Sequence, residues 1–570
     1  MHISQMAKVL TGQRKKAYES LDGHFTFTVS PVSEVHFNIT SLIGNTLFIN
    51  WDDENNTNEE EIATTGASQR ISHTYSSSDR ERTIRIHGSG VYVMSIFNVS
   101  DFIYIKDFPF NSESCSMLPN LRQLILSNSD GFKWDLNCDW SLLPKINVID
   151  LQSCDSLSGL STIDPKVSNN YPAALSTLIL SDTTLSSLTI KNYPHLRNIS
   201  LSGISELKYC DLEGCTNLND IYLNNNIGLT SANFKNCSSM LSSYMYRVLD
   251  LNNVSFEGCT SMLSATFRTM NTKKTTEVFE INWSGCDSLK NIRLDEVYCK
   301  NVLPTPEETP NLEILSARMI SGGISGDIDL NGYNSLKSIS FNAVFGLKNI
   351  SCIGNRSLTS GYFGRCDDLE RASFENCTKL SGISFAGDST HNSLEYMKIR
   401  NCPNLRSIKT SENNLYYGCD ITQCDNLSDV NMYHTNLKSF YLSGLPNLQN
   451  LYLEGKNENS SLSKVEIDNC ERLNNVVLYK NYHSLNEVKI SNCPRNDLKF
   501  NLTYCYGINK VTLNALGTQT SKMNELLSQI KEYSLNNAGE INIINCTYLP
   551  SGAYITDLTN NGWTYNVSYI

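Results

Sequence analysis

"LKYCDLEGCTNLNDIYLNNNIGLTSANFKNCSSM", residues 207–240, places Leu207, Leu218, Leu229 and Met240 eleven residues apart. Cys215, Asn226 and Cys237 hold the same place in successive units. The unit reads L-x-x-L-x-L-x-x-C/N-x-x. Its middle alternates inward and outward positions, the period of a half-buried strand. The Asn or Cys comes at the following turn, where an amide bonds open backbone groups and a thiol packs beneath the bend. "LEYMKIRNCPN" (394–404), "LSKVEIDNCER" (462–472) and "LNEVKISNCPR" (485–495) are further copies, and "LPNLRQLILSN" from 118 reads in register from Leu121. "LKYCDLEGCTN" runs straight into "LNDIYLNNNIG", leaving no room for a helix. Two eleven-residue strand units therefore make one 22-residue coil, with a short parallel strand on each long side. Each coil buries its apolar edge only against its neighbours, so the ends of the array need caps.

This pattern resembles the leucine-rich repeat, L-x-x-L-x-L-x-x-N/C-x-L, and in particular bacterial internalin-like and BspA-like repeats. The resemblance runs from about residue 118 to about 550 and implies a mainly β leucine-rich-repeat solenoid. The expected organisation is a polar arm or helix over 1–22, a small β-sandwich over 23–105, the solenoid over 106–519 and a cap over 520–570. In the cap, Met523, Leu526, Leu527, Ile530 and Tyr533 form a helical stripe, and strand-like "EINIINC" and "WTYNVSYI" follow. Five stretches break the count and read as insertions: 162–174, 241–250, 268–277, 300–310 and 455–461. In solenoids such loops project from one face, often the binding face.

Before the repeats, "FTFTVSP" and "EVHFNIT" alternate as strands. Trp51, Asp52 and Asp53, then His73 and Tyr75 before an alternating strand, resemble the PKD-like β-sandwich, an Ig-like fold. There, Trp-x-x-Gly-Asp precedes a turn and His-x-Tyr leads into a late strand. "NWDDEN" lacks the glycine of that motif. The resemblance makes Trp51 and Tyr75 core residues and His73 structural. A PKD-like domain leading into leucine-rich repeats is an arrangement of bacterial surface proteins and of phages of the same hosts.

The chain has 570 residues, 40% hydrophobic and 18% charged, with a net charge of −12. An acidic total with no basic stripe argues against a nucleic-acid partner. No run of 18 apolar residues provides a membrane span. Residues 1–24 carry a basic cluster (Arg14, Lys15, Lys16) but neither an apolar core nor a cleavage site, so they read as an arm rather than a secretory leader. The 19 cysteines recur at the coil spacing: Cys215, Cys237 and Cys259, and again Cys402 and Cys424, are 22 apart. That is one small buried hydrophobe per coil, and it points to folding in a reducing cytosol. The pairs Cys210/Cys215 and Cys419/Cys424 lack the spacing of a zinc site, so no metal and no cofactor is expected.

No Gly-x-Ser-x-Gly elbow, His-Glu-x-x-His helix, Walker A loop or dinucleotide turn occurs. The acid pairs Asp52/Asp53, Asp327/Asp329 and Asp367/Asp368 sit beside turns and read as solvated. The chain is not expected to be an enzyme. What stands out is tyrosine, 28 residues against 5 Trp and 20 Phe. Tyr222, Tyr362, Tyr441 and Tyr452 occupy the outward position between two inward apolar residues. Tyr433, Tyr479 and Tyr482 fall near strand ends, with Tyr416 and Tyr417 close by. Exposed tyrosine offers large contact area with a polar tip, and it enriches binding surfaces. These nine residues are the candidate site, with a patch around 416–482. The expected function is recognition of a cell-surface protein or polysaccharide. The expected owner is a phage virion, as a tail-fibre or receptor-binding component whose N-terminal arm contacts other virion proteins. The alternatives are a bacterial internalin-like adhesin and a structural spacer. The expected location is the virion, or an extracellular or cell-surface position.

Overall fold

A computed structural model describes residues 25–53, 59–92, 94–98, 105–107, 115–128, 139–154, 162–163, 171–270, 279–297, 303–320, 326–385, 393–411, 415, 417–456, 460–533 and 538–569. The expected arm, Tyr416 and parts of four expected insertions (164–170, 271–277, 300–302 and 457–459) lie outside these residues. The chain forms two units, Met1–Leu289 with Val302–Pro304, and Lys290–Asn301 with Thr305–Ile570. Among the described residues no helix is long and apolar enough to cross a membrane.

The first unit opens with two facing sheets. One runs in the order Glu60–Ala63, Thr46–Asn50, Arg82–His87, Phe25–Val29 and Ile105–Asp107. The other pairs Glu34–Ser41 antiparallel with Ser68–Thr74 and with Met94–Asn98. Strict alternation in Phe25–Val29 sends Phe25, Phe27 and Val29 inward. Phe25 meets Phe97 edge-on at 5.1 Å, and Phe27 meets Phe37 at 5.9 Å, an arrangement the ring quadrupoles favour. Trp51 and Tyr75 are buried. The Tyr75 hydroxyl donates to the Trp51 carbonyl at 2.8 Å, His73 stacks on Trp51 at 5.0 Å, and Asp53 lies 3.5 Å from His73. Asp52, at φ 59°, accepts from the Thr83 amide at 2.9 Å. All five motif residues thus join one structural cluster.

Met94–Asn98 also pairs in parallel with the first coil strand, Gln123–Ile125, setting Phe97 beside Leu124. One sandwich sheet therefore continues into the repeats and leaves no open edge there. In the sequence these read as consecutive domains. Physically the sandwich is the cap that the first coil requires.

The coils carry a parallel strand on each long side. In the first unit one sheet runs through Val148–Asp150, Thr177–Ile179, Asn198–Ser200, Asp220–Tyr222, Ser242–Tyr246 and Ser264–Met270. The opposite sheet runs through Ser187–Ile190, Tyr209–Asp211, Ser231–Asn233, Asn253–Ser255 and Glu280–Asn282. The stretch 241–250 is corrected here. It is no insertion, because Ser242–Tyr246 pairs in register with both neighbours. Met240, Ser243, Met245 and Val248 fill the unit's inward positions, all buried. A small serine and a valine where leucine and cysteine usually stand concealed the repeat.

Each half coil bends at one residue in the left-handed region, just before the Cys/Asn position: Gly214 (φ 75°), Asn225 (58°), Asn236 (61°) and Gly258 (75°). Glycine and asparagine reach that region most easily. At Gly258 a Cβ would meet the Asn236 amide oxygen at 2.5 Å, so neighbouring coils restrict each other's choice. The next side chain reaches the backbone of the coil before. The Cys237 thiol lies 3.1 Å from the Leu212 carbonyl, and Cys259 lies 3.1 Å from that of Phe234. Asn226 does the equivalent by accepting from the Ile204 amide at 2.8 Å.

Sixteen of the seventeen described cysteines are buried. Burial pushes the Cys259, Cys366 and Cys505 thiols up from 9.0 to about 12. The sign follows from linkage: a raised folded-state value contributes stability that is present below pH 9 and is lost as pH rises towards 12. Circular dichroism should therefore show alkaline unfolding setting in above pH 9. Iodoacetamide at pH 8 should leave these three thiols unmodified until urea is added.

In the second unit the front sheet runs through Asn291–Val297, Ile314–Ile320, Ser338–Val344, Ser360–Gly364, Gly382–Phe385, Ser407–Ser411, Asp429–Thr435, Asn450–Gly455, Asn475–Tyr479 and Lys499–Asn501. Back strands alternate with these, from Gly326–Asp329 to Thr564–Ser568. The helix Thr520–Tyr533 buries Met523, Leu526, Leu527 and Ile530. Its Gln529 covers the end of the front sheet, accepting from the Leu502 amide at 2.7 Å and donating to the Phe500 carbonyl at 2.9 Å.

Candidate recognition surface

The two corners of each coil in the second unit differ. From back strand to next front strand the chain advances seven residues six times in succession: Ile353 to Ser360, Glu375 to Gly382, Arg400 to Ser407, Thr422 to Asp429, Ser443 to Asn450 and Asp468 to Asn475. From front strand to back strand the advance varies from three residues, Val344 to Leu347, to eleven, Phe385 to Tyr396. The constant corner holds the column of Cys377, Cys402, Cys424 and Cys470, whose burial constrains its length.

The left-handed positions differ too. Behind the back strands they fall mostly on Gly332, Gly354, Asn376, Asn401, Gly444, Asn469, Asn492 and Asn545. At the ends of the front strands they fall on Glu296, Met319, Ala343, Arg365, His434, Lys480 and Tyr504. A side chain with a Cβ is strained there, by about 1 kcal/mol or more. The back corner uses the residues that relieve that strain. Gln423 and Ala515 are its exceptions, whereas the front corner mostly carries other side chains in spite of the strain, and such strain clusters at binding sites.

Three of these residues, His434, Lys480 and Tyr504, join the outward face of four front strands. Asn475 donates to Asn450, and Asn450 to Asp429, each at 2.7 Å, forming an amide chain across three strands. Further along the strands, register sets Asn431, Tyr452 and Val477 level, and Glu454 beside Tyr479. The Tyr433 and Tyr452 rings lie 4.6 Å apart. Tyr479 lies 5.8 Å from Tyr504, which also meets Tyr482 (6.4 Å), Tyr506 (6.3 Å) and Tyr533 (6.0 Å). The buried Glu454 carboxylate is the polar centre: it accepts from the Tyr452 hydroxyl at 2.9 Å and lies 3.2 Å from Lys480 and 3.3 Å from His434. Lys480 also sits 4.8 Å over the Tyr479 ring. Burial, then the bond to Glu454, raises the Tyr452 hydroxyl well above the ordinary phenol range, so it stays a donor. The bond to Glu454 likewise raises Lys480.

The nine tyrosines read from the sequence divide. Tyr433, Tyr452, Tyr479 and Tyr482 join this strip. Tyr362 stands on the same sheet, outward on Ser360–Gly364. Tyr222 belongs to the first unit, 6.5 Å from Tyr244. Tyr441 (57% exposed) lies on the back strand Ser439–Ser443, and Tyr417 (63% exposed) just precedes the back strand Gly418–Thr422. A single patch over 416–482 is therefore corrected to a front strip and two separate back-sheet residues. Sequence reasoning missed Tyr504, Tyr506, Tyr533, His434, Glu454 and Lys480. The signal for Lys480 and Tyr504 was available: each occupies the residue before the Asn/Cys position, where Gly or Asn is usual. Among the described residues no group of three or more His, Cys, Asp or Glu is placed to hold a metal.

Residues 336–494 match a family described as plant disease resistance protein RPS2-like, leucine-rich repeats. Over these residues the chain is a leucine-rich-repeat solenoid. Its solenoid is similar to the structure of a leucine-rich-repeat protein of Leptospira interrogans, at 13% identity, over 72% of this chain and 94% of that one, with a TM-score of 0.17. No curated protein matches the chain in sequence. Leucine-rich-repeat solenoids present long continuous surfaces on which partners are bound, and recognition of a partner is the role this architecture supports.

Proposed function

We propose that this leucine-rich-repeat protein is a non-catalytic recognition protein that binds a cell-surface receptor or glycan through the front strip Tyr433–Tyr452–Tyr479–Tyr504. One observation carries the reading: strained turn positions at the front corner hold His434, Lys480 and Tyr504, which converge on an aromatic strip, whereas glycine and asparagine hold most of those at the back corner. A rigid spacer has no use for that asymmetry. The owner we favour is a phage virion, with the chain as a tail-fibre or receptor-binding component. The many buried thiols support this, because they suit assembly in a reducing cytosol. The five-residue cluster around Trp51 and Tyr75 is consistent with a PKD-like sandwich, which suits both a virion and a bacterial adhesin.

Binding of the labelled full chain to intact bacteria, measured against concentration, tests the reading. Saturable binding supports it. Linear uptake on every strain tried removes recognition and leaves a structural spacer. Detection of the chain in purified particles, rather than on the bacterial surface, separates virion from adhesin.

A further inference from the structure

We infer that the front strip takes an extended glycan whose pyranose rings run across the strands, one ring to each coil. This deepens the recognition reading above and rests on it.

The first reason is spacing. Neighbouring coils are separated by the strand spacing of about 4.8 Å. That matches the length of one pyranose residue in an extended chain. A polymer laid across the front sheet meets the same kind of contact at every step.

The second reason is alternation. A bulge sets Tyr433 and His434 together opposite the buried Glu454, which pairs with Tyr479 on the following strand. Glu454 therefore stands between two rings that lie two strand spacings apart, about 10 Å. Below them runs the chain Asp429–Asn450–Asn475. A pyranose ring has an apolar face and a rim of hydroxyls. Rings to stack on, alternating with carboxylate and amide groups, satisfy both.

The third reason is the kind of apolar surface exposed. Among the described residues from 393 to 533, the prominently exposed large hydrophobic side chain at the front is Tyr504, since Tyr417 and Tyr441 lie on the back side. A protein partner is held by a desolvated apolar centre with polar groups at the rim. Here the polar groups occupy the centre. The first unit shows the contrast, where Leu241 and Leu263 are exposed in the coils beside Tyr222.

The polar groups are also held in place beforehand. The buried Glu454 holds Tyr452, Lys480 and His434 in place, so these more accessible groups need not be ordered when a sugar arrives. Lys409 and Lys499, on the flanking strands Ser407–Ser411 and Lys499–Asn501, allow an acidic sugar at either end.

The test uses bacteria that bind the full chain. Cells are treated with mild periodate, which cleaves vicinal diols, or with protease. Loss of binding after periodate, with binding kept after protease, is the expected result. Loss after protease with binding kept after periodate overturns the glycan and leaves recognition standing with a protein receptor. Failure of the chain to bind any untreated cells defeats the recognition reading itself. Polysaccharide stripped from binding cells is then cut by partial hydrolysis into size fractions and titrated calorimetrically. Affinity should rise by about tenfold from two-ring to four-ring fragments as further tyrosines are engaged, then level off. Tyr479→Ala should lower four-ring affinity about tenfold and leave Tyr441→Ala, on the back sheet, as the unchanged comparison. Equal affinity for all fragment lengths contradicts one ring per coil.

Discussion

Phe256→Ala destabilises the first unit by about 3–5 kcal/mol. Phe256 is fully buried and stacks between Phe234, at 5.6 Å and 18°, and Trp283, at 5.4 Å and 23°. These three rings belong to consecutive coils of one interior column and hold each coil to the next. Phe267, on the facing sheet, meets both Phe256 (6.3 Å) and Trp283 (6.2 Å) edge-on. Truncation removes the apolar area and leaves a cavity that hydrogen-bonded coils on either side cannot close. A solenoid coil has only two neighbours, so no third element can move in. Urea denaturation followed by tryptophan fluorescence, to which Trp283 contributes, measures the loss. Phe256→Leu, which keeps most of the volume, should cost clearly less. A loss below about 1 kcal/mol for the alanine variant would mean that the column does not join the coils.

Tyr452→Ala combined with Tyr479→Ala lowers affinity for binding cells by about a hundredfold, as expected for two hot-spot residues worth about 1.4 kcal/mol or more each. Tyr452 supplies a ring in contact with Tyr433 and a hydroxyl donated to Glu454. Tyr479 carries the strip towards Tyr504 and lies under Lys480. Tyr479→Ala should change folding stability little, because that side chain points outward, whereas Tyr452→Ala also takes a donor from the buried Glu454 and should cost about 1 kcal/mol or more. Tyr452→Phe separates the two contributions. It keeps the ring and removes one of the three groups around Glu454, so affinity should fall between wild type and the alanine variant. Tyr441→Ala should bind as wild type.

The repeat was legible because geometry leaves little choice: a half coil has inward positions that only apolar or small residues can fill. Leu207, Leu218, Leu229 and Met240 therefore mark the turns as plainly in sequence as in the folded chain. The thiol column was legible for the same reason. Where a coil uses a smaller set, as at Ser243 and Val248, the count fails although the coil is intact. The side of the solenoid on which a tyrosine falls was also within reach. Tyr441 and Tyr452 are eleven residues apart, which is half a coil, so they face opposite ways. The variable front corner resets the register from coil to coil and hides this. The convergence of Tyr504, Tyr506 and Tyr533 had no sequence signal, because the last comes from the capping helix. The pairing of Phe97 beside Leu124, which makes the sandwich a cap, likewise joins segments whose patterns look independent.

The most direct test of the front strip is oxidative footprinting of tyrosines in the full chain, with and without saturating polysaccharide stripped from cells that bind it. Protection of Tyr433, Tyr452, Tyr479 and Tyr504, with Tyr417 and Tyr441 labelled equally in both states, is the predicted result. Protection of Tyr417 and Tyr441 with the front tyrosines unchanged would place recognition on the back sheet and contradict the account.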